Sequence, residues 1–264
     1  MSQFDLIEFH LPLALLVVFR IGGLMIYGPV FGSPIIPVRI KVLLAFFIGL
    51  AAYPLLASAH FTGLELQLNL WMLGPIILLE MFIGLTIGFA ASLPLVGVQT
   101  GGLVMGQQMG LGFAQFYNPA VDDEADVVGQ MLFFMGLAGF LLIGGHEAMV
   151  LAVLHSFEHV PPGGVVVDTD VIALLTGLLL AAFELALRVA TPLLALIFLQ
   201  SIAMGFISKT VPQLNILSLG FPLRILVGFL IVALGLVIIN ELIMESMDQM
   251  VGMIFGWIEA MGMK

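Results

Sequence analysis

The chain has 264 residues, of which 61% are hydrophobic and 9% are charged, and its formal net charge at pH 7 is −10. Soluble domains carry about 25% charged residues, so this composition excludes a soluble globular protein. The acidic balance argues against nucleic-acid binding, which needs a basic surface, and the absence of cysteine excludes disulfide and thiolate chemistry.

Continuous apolar runs predict an all-α integral membrane protein. Several runs exceed the roughly 18 residues that cross a bilayer as a helix, and they lack the alternation of a membrane β-barrel. We predict six long helices, some of them broken, followed by a tail helix. In chain order they cover about residues 11–31, 38–58, 70 to the glycines at 102–110, 127–154, 171–207, 214–239 and 241–261. The fifth is long enough to contain a break at Thr191-Pro192, and Pro222 lies inside the sixth.

The tail helix is predicted to be amphipathic. Its acids, Glu241, Glu245 and Asp248, share one face, and the opposite face is apolar. The apolar positions are Ile243, Met247, Met250, Ile254 and Trp257. Because an acidic face suits anionic lipid poorly, a protein partner fits this helix at least as well as a membrane surface does.

The segment from Gly101 to Asp126 is unusual in composition. A buried core does not need its many amides, and a surface loop does not need its many Met and Phe residues. Gly102, Gly106 and Gly110 recur every four residues, and Met, Phe and amide side chains stand among them before Pro119 and four acids. Small residues at this spacing let helices approach closely, and methionine fills irregular gaps. The pattern leaves two readings open: ordinary helix packing, or a soft seal around something that moves.

Five charged residues lie at or within the apolar segments: Arg20, Glu80, Glu184, Arg188 and Arg224. A charge at the centre of a bilayer costs about 2.5–3.5 kcal/mol on insertion scales, so these residues must pair, face water or lie outside the lipid. Glu184 and Arg188 are one helical turn apart and predict an ion pair. A proton-relay role for Glu80 or Glu184 is the alternative.

No motif predicts an enzyme or a resident cofactor. The chain has no phosphate-binding glycine loop, no nucleophile elbow and no dinucleotide fingerprint. His155 and His159 have metal-ligand spacing on a helix, but the H-E-x-x-H motif needs a glutamate directly after the first histidine. Here Ser156 follows His155, and Glu158 precedes His159 instead. With no third ligand evident, the sequence predicts a polar helix end before Pro161-Pro162 and no metal site.

Four stretches of the chain resemble the FliR family of the type III secretion export gate. They occur in the family's order and together span nearly the whole chain. They are FRIGGLMIYGPVFGSPIIPVRIKVLLAFFI from Phe19, GQQMGLGFAQFYNP from Gly106, GGHEAMVLAVLHSFEHVPPG from Gly144 and VPQLNILSLGFPLRILVGF from Val211.

This resemblance implies a subunit of the flagellar export gate that forms a protein-conducting pore for unfolded flagellar axial proteins. The implied partners are homologues of FliP and FliQ, with FlhB around the cytoplasmic side. The implied fold is a single domain, 1–264, in which about 1–190 is FliP-like and about 191–264 is a FliQ-like hairpin, within a closed helical ring. The implied location is the bacterial inner membrane in the flagellar basal body, partly raised toward the periplasm, with lipid contacts and no cofactor.

The resemblance also implies a pore-plugging loop. We predict that methionine and phenylalanine side chains provide the seal and that glycines act as hinges. The plug and seal positions are Met105, Gly106, Gln107, Gln108, Met109, Gly110, Phe113, Phe116, Tyr117 and Asn118. The predicted helix-packing glycines are Gly84, Gly88 and Gly102, and the candidates for intersubunit or ion-pair contacts are Arg20, Glu184, Arg188 and Arg224.

Three alternatives remain at this stage. The first is the homologous subunit of a virulence type III secretion system. The second is a secondary transporter or ion channel, which would work without partners. The third is a membrane scaffold that recruits partners and has no role in a pore.

Overall fold

A computed structural model of the chain describes residues 3–60, 70–111, 127–164, 169–211 and 216–262. Within these ranges the secondary structure is α-helical and contains no strand, which confirms the all-α prediction. The helices are α1 (Gln3–Tyr27), α2 (Val38–His60), α3 (Leu70–Met109), α4 (Val127–Leu142), α5 (Gly145–His159), α6 (Thr169–Thr210) and α7 (Ile216–Gly262).

Four of the described helices are long and apolar enough to cross a membrane. Their apolar stretches are His10–Tyr27, Leu73–Met109, Val171–Thr210 and Leu219–Met261, and α4 with α5 provides a fifth if the two form one broken span. This result confirms the prediction of an integral membrane protein made of helices.

The predicted fourth helix, 127–154, is in fact two helices. Gly144 adopts φ 75°, a left-handed conformation that favours glycine. The amides of Glu147 and Ala148 donate to the Gly144 carbonyl at 2.9 and 3.0 Å, so α5 starts a new ladder there. Because the chain reverses its backbone handedness at this residue, α4 ends at Leu142.

The predicted sixth helix and tail form one helix, α7, of 47 residues, and α6 runs for 42 residues through Pro192 without a break. Apolar helices tolerate proline because neighbouring side chains satisfy the freed backbone groups. Between Ile239 and Glu241 no glycine or proline interrupts the chain. The change from apolar to acidic residues at this point therefore changes the exposed face of α7, not its backbone.

The amphipathic pattern of the tail is present within α7. Glu241, Glu245 and Asp248 are exposed, whereas the predicted apolar face is buried. The buried residues are Ile243, Met247, Met250, Ile254 and Trp257. The residue pattern thus predicts the two faces correctly, although it places the start of the helix too late.

The chain divides into two compact units. The first comprises Met1–Leu93, Leu141–Leu178 and Asp248–Lys264, and the second comprises Pro94–Phe140 and Leu179–Met247. Helices α3, α6 and α7 each contribute residues to both units. The division near residue 190 into FliP-like and FliQ-like parts stays a prediction.

One face of α1 supplies much of the core of the first unit. Its members recur every three or four residues, as the buried face of a helix requires, and each is fully buried. They are Leu13, Leu16, Val17, Arg20, Ile21 and Leu24. Arg20 therefore occupies a core position in an otherwise apolar stripe, and its charge needs partners there.

Candidate functional site

Helices α1 and α3 approach each other closely in the first unit, at positions occupied by glycine. A Cβ atom at Gly84 would overlap the carbonyl oxygen of Arg20, and one at Gly23 would overlap the carbonyl oxygen of Met81. At Gly88 it would lie 2.9 Å from both the Gly28 nitrogen and the Leu24 oxygen. The predicted packing glycines Gly84 and Gly88 thus lie where two backbones touch.

A buried ion pair joins these two helices. Nε of Arg20 donates to Oε2 of Glu80 at 2.6 Å, and both side chains are 0% exposed. Both terminal nitrogens also have partners: they donate to Oγ of Ser156 at 2.8 Å and to the Val160 carbonyl at 3.0 Å. The Phe157 ring lies 3.8 Å from the guanidinium carbon, in the geometry of a cation–π contact.

Glu80 extends the network to the turn that follows α5. Its second oxygen, Oε1, accepts a hydrogen bond from the backbone amide of Gly163 at 2.9 Å. That turn is closed by a bond of 2.9 Å from the Gly164 amide to the Pro161 carbonyl. The Arg20–Glu80 network therefore ties α1, α3, α5 and the Pro161–Gly164 turn together within one unit.

The partners of Arg20 lie within the chain. Its ion pair is therefore an intrachain contact and not an intersubunit one. The sequence identified both Arg20 and Glu80 as charges in apolar segments but did not pair them. The signal that points to Arg20 is its place on the apolar α1 face. No comparable signal points to Ser156, which lies 136 residues further along the chain.

The end of α3 packs tightly in the second unit. A Cβ atom at Gly102 would lie 2.5 Å from Cα and 2.7 Å from the nitrogen of Gly129 in α4. Met105 and Met109 are buried. A Cβ at Gly228 of α7 would lie 2.7 Å from both Sδ and Cε of Met109, so this side chain fills the space that glycine leaves.

Gly110 terminates α3 with a Schellman motif. It adopts φ 86°, its amide donates to the Gln107 carbonyl at 3.0 Å, and the Leu111 amide donates to the Gly106 carbonyl at 3.0 Å. This pair of bonds satisfies two carbonyls that a helix end otherwise leaves free. Gln107 and Gln108, just before the cap, are exposed.

The predicted plug is only partly within the described residues. Met105, Gly106, Gln107, Gln108, Met109 and Gly110 belong to the last turns and cap of α3. Phe113, Phe116, Tyr117 and Asn118 lie outside the described residues. The structure therefore places the start of the candidate seal, and its sealing role stays a prediction.

The predicted ion pair on α6 is confirmed. A terminal nitrogen of Arg188 lies 2.6 Å from Oε1 of Glu184, and the two side chains are 53% and 62% exposed respectively. Arg224 of α7 donates to Oγ of Ser201 of α6 at 2.9 Å. Unlike the Arg20–Glu80 network, the Glu184–Arg188 pair lies on the surface of the chain.

This α6 pair lies in a long apolar surface. Large apolar side chains are exposed along α6 from Ile172, which is 66% exposed, to Ile207, which is 43% exposed. Those next to the pair are Leu180, Phe183 and Leu187. Something other than water must cover such a surface.

A third polar cluster lies at the end of α5. Nδ1 of His155 is 2.7 Å from a carboxylate oxygen of Glu158, and the ring centroids of His155 and His159 are 4.7 Å apart. One ligand atom from each of the three residues lies within 4.8 Å of the others. The fold thus brings the Glu158 carboxylate close to the two imidazoles.

Comparison with known proteins adds a family match over most of the chain. The family described as "Bacterial export proteins, family 1" matches residues 11–250. The flagellar biosynthetic protein FliR of Escherichia coli K12 is 29% identical over 214 residues, which are 81% of this chain and 80% of that protein. FliR of Bacillus subtilis 168 is 27% identical over 225 residues, 83% of this chain and 84% of that protein.

Proposed function

This chain belongs to the bacterial export proteins, family 1, and on that premise we propose that it is a subunit of the flagellar type III secretion export gate. In this proposal it joins homologues of FliP and FliQ in a protein-conducting pore, with a homologue of FlhB alongside. The substrates are unfolded flagellar axial proteins. The names of its relatives support a flagellar system over a virulence system.

The length of the exposed apolar surface on α6 carries the argument for an assembly. Ile172 to Ile207 is 36 residues, or about 54 Å at 1.5 Å per residue. The hydrocarbon core is about 30 Å thick, and even a tilt of 40° extends the covered length to only about 39 Å. The hydrocarbon core alone is therefore too thin to cover this surface, which supports contacts with protein partners.

The charges on α6 indicate which part of its exposed apolar surface lies outside the bilayer. Val189 to Ser208 is a run of 20 uncharged residues between Arg188 and Lys209, about 30 Å long, which matches the bilayer. The Glu184–Arg188 pair and the exposed Phe183 then lie at or beyond its edge. This register supports a subunit raised partly out of the inner membrane of the basal body, whose outer apolar face meets other subunits.

The end of α3 supplies the candidate seal. Met105 and Met109 are flexible apolar side chains held in tight contacts, and Gly110 directs the chain into the segment that reaches Asn118. Hydrophobic constrictions can close a pore by dewetting, and unbranched or aromatic side chains make no specific demand on a substrate's sequence. We propose that this segment keeps the gate closed to ions between substrates.

The transporter alternative receives no support from Glu80. Both of its oxygens accept hydrogen bonds, from Arg20 and from Gly163, and its side chain is 0% exposed, so it is engaged inside this chain and does not line a water-filled path. A scaffold without a pore role would use Met105 and Met109 for helix packing alone, so a conductance measurement distinguishes it from a gate.

Two measurements on the complex test the proposal. Co-purification of the tagged chain from native membranes, followed by mass measurement, should recover FliP and FliQ homologues; a chain recovered alone would refute the subunit assignment. For the seal, residues 106–118 are replaced by Gly/Ser of equal length and the purified complex is placed in planar bilayers. Ion conductance should rise above background.

The control replaces residues 61–69, which connect α2 to α3, in the same way. It should leave conductance at background. If the intact complex carrying the 106–118 replacement also stays at background, the seal assignment is wrong while the subunit assignment stands.

A further inference from the structure

We infer that His155, Glu158 and His159 form a binding site for a divalent cation of the zinc class at the C-terminal end of α5. The three side chains come from one helical turn, and their ligand atoms lie within 4.8 Å of one another. Two histidines four residues apart on one helix face hold zinc in known proteins. Glu158 stands between them in sequence and completes a three-ligand set.

The chemistry of the donors selects the cation. Two imidazole nitrogens and one carboxylate oxygen form the His₂Glu set that zinc uses when it keeps a fourth position open. Imidazole ligands also suit Cu²⁺ and Ni²⁺, whereas Mg²⁺ and Ca²⁺ prefer oxygen ligands alone. The site is half-buried to exposed, so water can take the open position and the cation can enter without opening the core.

The existing contacts prepare this site. Nδ1 of His155 lies 2.7 Å from a carboxylate oxygen of Glu158, so the two side chains already converge on one point. The Phe255 ring lies 5.8 Å from the His155 ring and limits the positions that the imidazole can take. Little side-chain freedom is left to lose when the cation binds.

The site adjoins the buried network. Ser156 and Val160, which accept hydrogen bonds from Arg20, alternate with the ligands along the same turn. A cation that bridges His155 and His159 fixes this turn and, through it, the acceptors of Arg20. Metal binding should therefore stabilise the first unit as well as occupy a surface site.

The test uses the full-length chain purified in detergent through an affinity tag that contains no histidine. Co²⁺ is the spectroscopic probe, and Zn²⁺ is titrated calorimetrically. The wild type should bind one equivalent of Zn²⁺ and give the visible absorption of bound Co²⁺. His155→Gln, Glu158→Gln and His159→Gln should each weaken binding at least about tenfold, because loss of an outer-shell partner alone already costs that much.

The matched control is His146→Gln, because His146 lies on the same helix but outside the cluster. It should bind Zn²⁺ like the wild type. Equal binding by the wild type and the His155→Gln/His159→Gln double variant would overturn the proposal, as would an equal loss in His146→Gln. All variants are compared by their elution volumes, and the single substitutions at half-buried or exposed positions should leave elution unchanged. The test is independent of the export-gate assignment, which these variants do not address.

Discussion

Two ion pairs of identical length allow burial to be tested as the source of stability. Arg20–Glu80 and Glu184–Arg188 both have N–O distances of 2.6 Å, but the first pair is 0% exposed and the second more than half exposed. Removal of one partner of a buried pair leaves an uncompensated charge and costs about 3–5 kcal/mol. Loss of an exposed pair one turn apart costs about 0.3–0.5 kcal/mol.

The corresponding variants are Glu80→Gln and Glu184→Gln, which remove a charge and retain the side-chain shape. In a chain of this size, 1 kcal/mol shifts the midpoint of thermal unfolding by about 2–4 °C. We expect Glu80→Gln to lower the midpoint by about 6–20 °C and Glu184→Gln by no more than about 2 °C. The assay is the loss of the monodisperse size-exclusion peak after heating in detergent.

A double variant separates lost attraction from the cost of a stranded charge. Arg20→Met/Glu80→Gln removes both charges, and the glutamine can still accept the bond from the Gly163 amide. It should be more stable than Glu80→Gln alone, because no buried charge is left unpaired. Equal losses in Glu80→Gln and Glu184→Gln, or a double variant as unstable as the sum of its two singles, would refute this reasoning.

Further predictions concern glycines and the surface pair. Gly84→Ala should lower the thermal midpoint because its Cβ meets the Arg20 backbone, at a cost of about 1–3 kcal/mol. The control Gly74→Ala, which has open space around it, should gain up to about 1 kcal/mol of helix propensity. Equal midpoints would contradict this prediction. Gly102→Ala, which meets the Gly129 backbone, should destabilise more than Gly228→Ala, which meets the flexible Met109 side chain; the reverse order would show that this α3–α4 contact can relax. Gly110→Ala should cost about 1–2 kcal/mol because φ is 86°, with Gly205→Ala as the unstrained control. Arg188→Ala should reduce complex yield on a native gel while the midpoint of the isolated chain stays within about 2 °C of the wild type; normal yield would count against an intersubunit role.

The buried faces of helices could be predicted from the sequence because they depend on local spacing. The α1 face and the two faces of the tail follow from residues three and four apart. The Glu184–Arg188 pair follows from the same rule. These features need no knowledge of which helices are neighbours.

Features that depend on tertiary context could not be predicted. Gly22-Gly23 and Gly101-Gly102 lie inside helices, whereas Gly144-Gly145 ends one, so the dipeptide alone does not predict a break. The partners of Arg20 are 60 and 136 residues away along the chain, and spacing carries no information over such separations. Likewise, the sequence places Glu158 next to His159 but does not show that its carboxylate lies 2.7 Å from Nδ1 of His155.

The separation of Arg20 from its partners has a consequence for synthesis. Glu80 and Ser156 follow Arg20 in the chain by 60 and 136 positions. At a translation rate of about 5–20 residues per second, Glu80 is made about 3–12 s after Arg20 and Ser156 about 7–27 s after it. During that interval α1 carries an uncompensated arginine, which costs about 2.5–3.5 kcal/mol in the centre of a bilayer. The buried network around Arg20 can therefore close only after α3 and α5 have been made.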